Sequence, residues 1–179
     1  MAGATGAIGM PLVRQLVAAG HVVAGMTRSR PERVSALGAE PVVCDVFDAS
    51  ALAEAVRAFA PDVVINELTD MPTDPAAIDA TVNARIRTEG HRNLLAAAGG
   101  AKVLAQSIAV PLSGAAAAAV EELERSTLDA GGVVLRYGLF YGPGTYGGPG
   151  APRVHVEEAA RRTVDALDAP SGVIVVVES

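Results

Sequence analysis

The residues best suited to chemistry stand at the front of the chain: Gly3-Ala-Thr-Gly6-Ala-Ile-Gly9. Glycines at this spacing give a phosphate site three things. The first permits a tight turn, the second lets the backbone close on the phosphates, and the third lets the next helix pack against its strand. A helix opening there points free N–H groups and the positive end of its dipole at the anion. In a chain with 19 glycines the pattern alone is weak. Its context strengthens it, because a helical stretch follows, then a strand, and the alternation continues. These residues predict dinucleotide binding, with Gly3, Thr5, Gly6, Ala7, Ile8 and Gly9 as its contacts.

The elements that must position such a turn are short β-branched runs alternating with Ala-rich stretches, the pattern of a parallel sheet with crossover helices. Strands are expected over 21–26, 40–44, 63–65, 102–106, 133–136 and 172–177. Helices are expected over 10–19, 31–37, about 50–59, 75–98, 115–130 and 156–167, and 142–150 reads as the one clear loop. Only Met1-Ala2 can represent the strand that should precede the turn. A sheet without its middle strand would be hard to stabilise, so a truncated or incompletely represented N-terminus is expected.

Half of the 179 residues are apolar, 19% are charged and 3% aromatic. The core must come from Ala, Val, Leu and Ile, which suits parallel strands covered by helices. The expected architecture is one α/β domain over 1–179, a Rossmann-type doubly wound sheet in the order 3-2-1-4-5-6-7. A small substrate-side region would lie within about 138–156. A net charge of −6 argues against a nucleic-acid surface. The single cysteine, Cys44, permits no intrachain disulfide and fits a reducing, cytoplasmic compartment. No apolar run reaches the ~18 residues that span a bilayer, so no membrane partner is expected. Three histidines without ligand spacing and one cysteine give no metal site, and no Gly-x-Ser-x-Gly elbow occurs. A homodimer through 75–98 and 115–130 is the one protein partner that the pattern points to.

The motifs together resemble the short-chain dehydrogenase/reductase superfamily, in its extended and atypical, epimerase-like branches. Gly3 to Gly9 looks like its nucleotide turn, and Asp45-Val46 like the pair that contacts adenine. Thr88-Glu-Gly-His-Arg-Asn-Leu-Leu95 resembles the long helix before its fifth strand. Ser107 stands where the active-site Ser or Thr ends that strand. Leu135-Arg-Tyr-Gly-Leu-Phe-Tyr-Gly-Pro143 resembles the sixth strand with its Tyr-Gly-Pro loop, and Arg153 to Ala160 the segment before the final helix. The resemblance implies a ligand across the carboxyl ends of the strands, with Leu68, Tyr137 and Gly138 near the cofactor. An acid at the end of the second strand would suit the ribose of NAD. Thr27-Arg28-Ser29-Arg30 stands there instead, and two guanidiniums beside small hydroxyls favour the 2′-phosphate of NADP, with NAD still possible.

One family feature is missing. The reductases and epimerases of this type carry a Tyr-x-x-x-Lys pair after the serine, in which the ammonium lowers the phenol pKa. All three tyrosines (Tyr137, Tyr141, Tyr146) lie beyond that helix, and the only lysine, Lys102, precedes the serine. Ser107 and Tyr141 remain as candidate catalytic residues. Glu67 is either a base or a solvated acid at a strand end, His155 is more often structural, and Asp70 and Asp74 look like loop residues. Two functions stay open: an NAD(P)-dependent oxidoreductase or epimerase-like enzyme on a small carbonyl or hydroxyl substrate, and a catalytically silent NADP-binding sensor or partner subunit.

Overall fold

The computed structural model describes residues 1–70, 78–145 and 150–178. After the glycine turn come α1 (Gly9–Ala18), β1 (Ala24–Thr27), α2 (Pro31–Ser35), β2 (Glu40–Val43), α3 (Ala49–Phe59) and β3 (Val63–Asn66). The second half holds α4 (Ala80–Arg85), α5 (His91–Ala98), β4 (Lys102–Ile108), α6 (Gly114–Asp129) and β5 (Val133–Tyr137). It closes with β6 (Leu139–Tyr141), β7 (Arg153–His155), α7 (Val156–Asp165) and β8 (Gly172–Val176).

All strand pairs are parallel. β1 lies beside β2 with Ala24 opposite Glu40, and β3, β4, β5 and β8 form a four-stranded row. Ala2 joins the two groups through parallel bridges to Met26 and to Asn66. Its N–H donates to the Ile65 carbonyl at 2.8 Å, and its own carbonyl accepts from Glu67 N at 3.1 Å. The middle position that the glycine turn requires is thus held by isolated bridges at Ala2. Across the molecule the succession is β2, β1, Ala2, β3, β4, β5, β8.

The two-residue period of the strands divides the core. Ile65, Leu104, Val133, Leu135 and Tyr137 pack with Leu12, Val13 and Leu16 of α1 and Ala159 and Ala160 of α7. Met26, Val64 and Val103 pack on the other face with Leu52 of α3 and Leu94 and Ala98 of α5. Burial on both faces is what makes these strands near-continuous apolar runs.

Two expectations are corrected. The helix expected over 75–98 is not continuous within the described residues: a π-helical turn, Ile86–Gly90, separates α4 from α5. A Cβ on Gly90 would lie 3.1 Å from Val46 Cγ1, so the glycine lets this turn press against the loop after β2. The glycine-rich loop is flanked by a short parallel pair, β6 and β7, with Leu139 opposite Arg153 and Tyr141 opposite His155. Three-residue strands are too short to register as an alternating run. No described helix is long and apolar enough to cross a membrane.

Candidate functional site

The turn between Ala2 and α1 is shaped so that only glycine fits. Gly3 has φ +82°, and a Cβ there would stand 2.5 Å from the Glu67 carbonyl oxygen. At Gly9 a Cβ would stand 2.0 Å from the Gly3 carbonyl oxygen. Gly6 N donates to Gly3 O at 3.0 Å, and Met10 N to Gly6 O at 3.1 Å, which folds the turn back on itself. Gly6 is exposed, and Thr5 and Ala7 are half-buried. α1 starts from Ile8 with no side-chain cap and no acid in its first turn. Met10 N is already given to Gly6 O and Pro11 has no N–H, so the dipole end and the N–H groups of Ala7 to Gly9 are what remain for an anion.

The same carboxyl edge of the sheet gathers the other expected cofactor residues. β1 ends at buried Thr27, whose Oγ1 accepts from Arg30 N at 3.2 Å and curls the following turn. Arg28 and Arg30 are exposed there, and among the described residues Arg28 makes only a long ion pair, 3.9 Å, to Asp70. Beyond β2, Asp45 Oδ1 accepts from Phe47 N at 2.9 Å, and Val46 is buried with its carbonyl held by Asn93 Nδ2 at 2.9 Å. Beyond β3, Leu68 N donates to Asn66 Oδ1 at 3.1 Å. Asp74 and Tyr146 lie outside the described residues.

At the far end, Tyr137 closes β5 with its hydroxyl turned into the core, 2.9 Å from Glu67 Oε1 and 2.6 Å from Thr163 Oγ1. Burial pushes this phenol well above its ordinary pKa. Tyr137 is 1% exposed, so ring and hydroxyl alike belong to the core. Gly138 is occupied by packing, since a Cβ there would stand 2.8 Å from Arg153 Cα.

The two candidate catalytic hydroxyls each serve a different carboxylate. Buried Ser107 donates to Glu124 Oε1 at 2.5 Å, and Arg136 binds the same carboxylate at 2.8 and 2.5 Å. The Arg136 guanidinium, helped by the Ser107 hydroxyl, holds Glu124 below the usual carboxylate range. Tyr141 donates to both oxygens of Glu178 at 2.9 Å, which raises its phenol pKa. His155 packs edge-on against Tyr141, and its backbone N–H also goes to Glu178, consistent with a structural role.

Comparison with known proteins settles the family. The NAD(P)H-binding family matches residues 3–146 of the chain. The chain belongs to this family. A curated relative from Streptomyces sp, 3-diazoavenalumate denitrifying reductase, is 40% identical over 175 residues, covering 81% of this chain. The chain spans 57% of that protein's length. Among solved structures, the Thermus thermophilus UDP-glucose 4-epimerase complex with NAD aligns with TM-score 0.81 at 22% identity, over 98% of this chain and 76% of that one. A short chain dehydrogenase from Burkholderia cenocepacia in complex with NADP aligns with TM-score 0.77 at 15% identity, over 98% and 94%. The NAD(P)H-binding chain thus has the Rossmann-like fold that these epimerase and dehydrogenase structures share, and its cofactor is NAD(P).

For an NAD(P)H-binding protein the uncapped helix and the glycine cradle fit the pyrophosphate, which the N–H groups of Ala7 to Gly9 would hold. Sequence reasoning placed Glu67 at a strand end but not its environment. It is 3% exposed, and burial pushes its carboxyl up to about 8. The signal was the two-residue period, which puts Glu67 on the same core face as Ile65. Glu124, Glu178 and the buried trio Asn66, His91 and Thr127 were missed altogether. Their partners are remote in sequence, and nothing local marks them.

Proposed function

We propose that this chain is the dinucleotide-binding part of an NADP-dependent reductase that passes hydride to a small electrophile. The observation that carries this reading is the uncapped glycine cradle, with two exposed guanidiniums on the turn after β1. Arg28 and Arg30 supply the planar donors that a 2′-phosphate takes.

The acceptor follows from proton accounting. A small carbonyl substrate needs a proton with the hydride, and Ser107 and Tyr141 are the hydroxyls at hand. Both already donate to carboxylates. An acceptor that carries its own positive charge needs no proton. The relative's name points to that class: a diazonium carbon takes the hydride pair, the C–N bond breaks with its electrons on nitrogen, and N2 leaves. We therefore place a diazonium-type acceptor ahead of a carbonyl one. A second reading, a catalytically silent NADP sensor, is favoured by the same committed hydroxyls.

Calorimetric titration with NADPH and NADH tests the core of this. NADPH should bind more tightly, and Arg28→Ala should weaken it about tenfold or more while sparing NADH, the loss expected for a hydrogen bond to a charged group. Folded protein that binds neither nucleotide would remove the proposal. Binding without NADPH consumption against aryl diazonium and ketone probes would leave the sensor.

A further inference from the structure

Glu67 connects the two ends of the cofactor site. Its backbone holds the nucleotide turn: Glu67 N donates to Ala2 O at 3.1 Å, and its carbonyl oxygen fills the space where a Gly3 side chain would stand. Its side chain reaches the opposite wall, with Oε1 2.9 Å from the Tyr137 hydroxyl. Thr163 Oγ1, 2.6 Å further on, donates its proton to the Ala159 carbonyl at 2.8 Å. With the acid ionised, Tyr137 donates to Glu67 Oε1; with it neutral, the acid proton meets the Tyr137 hydroxyl, which is then free to donate to Thr163. A neutral carboxyl completes this chain. A carboxylate would draw the Tyr137 proton away from Thr163 and keep a buried charge on one hydrogen bond, because Oε2 has no partner among the described residues.

We propose that Glu67 is a positioning residue that holds a proton while the nucleotide is bound, and that loss of this proton weakens nucleotide binding. This rests on the reading of the glycine turn as the dinucleotide site. Ionisation would leave a buried charge on the residue whose backbone braces the glycine turn, and would pull Tyr137 out of its bond to Thr163. Only Tyr137 among the described titratable groups faces Glu67. From β4, Ser107 turns to Glu124, as does Arg136 from β5. On α7, Glu157 pairs with Arg14 of α1, Glu158 and Asp165 with Arg161, and Arg162 reaches the Val175 and Val177 carbonyls. The turn itself has no titratable side chain. The Met1 amine, lowered to about 6 by burial, donates to Ala24 O.

The test is NADPH binding by calorimetry from about pH 7 to about pH 9.5, where the 2′-phosphate, with a pKa of about 6, is already ionised. The wild-type Kd should hold until about pH 8 and then rise about tenfold per pH unit. Glu67→Gln keeps a neutral donor and should lack this step. Tyr137→Phe removes the hydroxyl that would receive the anion and should move the step upward. A wild-type protein that binds at neutral pH without an alkaline step, or a Glu67→Gln protein that keeps it, overturns the inference alone. Absence of binding at neutral pH overturns the functional reading on which it rests.

Melting of the nucleotide-free protein gives an independent readout. With its folded pKa raised, the folded chain keeps a proton that the unfolded chain releases. The stability tied to that proton is full below about pH 4.5 and lost as pH rises to about 8. The melting-temperature gain of Glu67→Gln over wild type should widen across that window and no further. A gain independent of pH would mean that Glu67 is not held neutral.

Discussion

Gly9→Ala is expected to abolish NADPH binding at micromolar protein and to lower the melting temperature. The added Cβ would stand 2.0 Å from Gly3 O, 2.9 Å from Ala4 C and 3.0 Å from Ala4 O. All three are backbone atoms, so no rotamer change relieves the clash. The turn has to open, and with it goes the alignment of the N–H groups that would hold the pyrophosphate. Losing one or two hydrogen bonds to a charged group removes roughly 100-fold in affinity. Overpacking of this kind costs about 1–3 kcal/mol, and about 2–4 °C per kcal/mol is expected at this chain length. Gly100→Ala is the matched control, since nothing lies within 4 Å of a Cβ there. Calorimetry and thermal melting on the two variants decide the matter. If Gly9→Ala binds NADPH as the control does, the turn is architecture and not a cradle.

The contrast between that turn and the rest of the site explains what could be read from residue order. Gly3, Gly6 and Gly9 act through backbone geometry within seven residues, so their spacing carries the information. β3, β4 and β5 were legible because burial on both faces makes them apolar runs, and β2 and β8 because their β-branched residues run together between turn residues. β1 began later than expected, at Ala24, because Val22 is 84% exposed and falls outside the sheet despite its β-branched side chain. Ser107 was located but its partner was not: Glu124 lies on α6, and Arg136, which shares it, on β5. Tyr141 and Glu178 are similarly distant, and their pairing depends on how β6, β7 and the segment after β8 meet. Glu67 shows the limit most plainly. The sequence left it as a base or a solvated acid at a strand end, and only the surrounding Tyr137 and Thr163 reveal a buried acid.

The same logic makes His91→Leu the other large effect. The ring is 1% exposed at the start of α5, with Nδ1 2.9 Å from Asn66 Nδ2 and Nε2 2.9 Å from Thr127 Oγ1. Thr127 spends its proton on Leu123 O at 2.7 Å, so Nε2 must be the donor and Nδ1 the acceptor. Asn66 then turns its Oδ1 to Leu68 N, which fixes the chain as it leaves β3 beside the glycine turn. Leucine fills the space but leaves a buried amide and a buried hydroxyl without their partner, a cost of about 2–4 kcal/mol. The melting temperature should fall by roughly 5–15 °C, and NADPH binding should weaken as the Leu68 segment loosens. Burial lowers the His91 pKa to about 4. Since the unfolded chain protonates near pH 6.5 and the folded one does not, stability tied to the neutral ring is present above about 6.5 and lost as pH falls to about 4. The stability difference between wild type and His91→Leu should therefore shrink over that acid window, the opposite slope to the one set by Glu67. A difference that stays constant with pH would show that the ring is not held neutral, and that Asn66 is oriented without it.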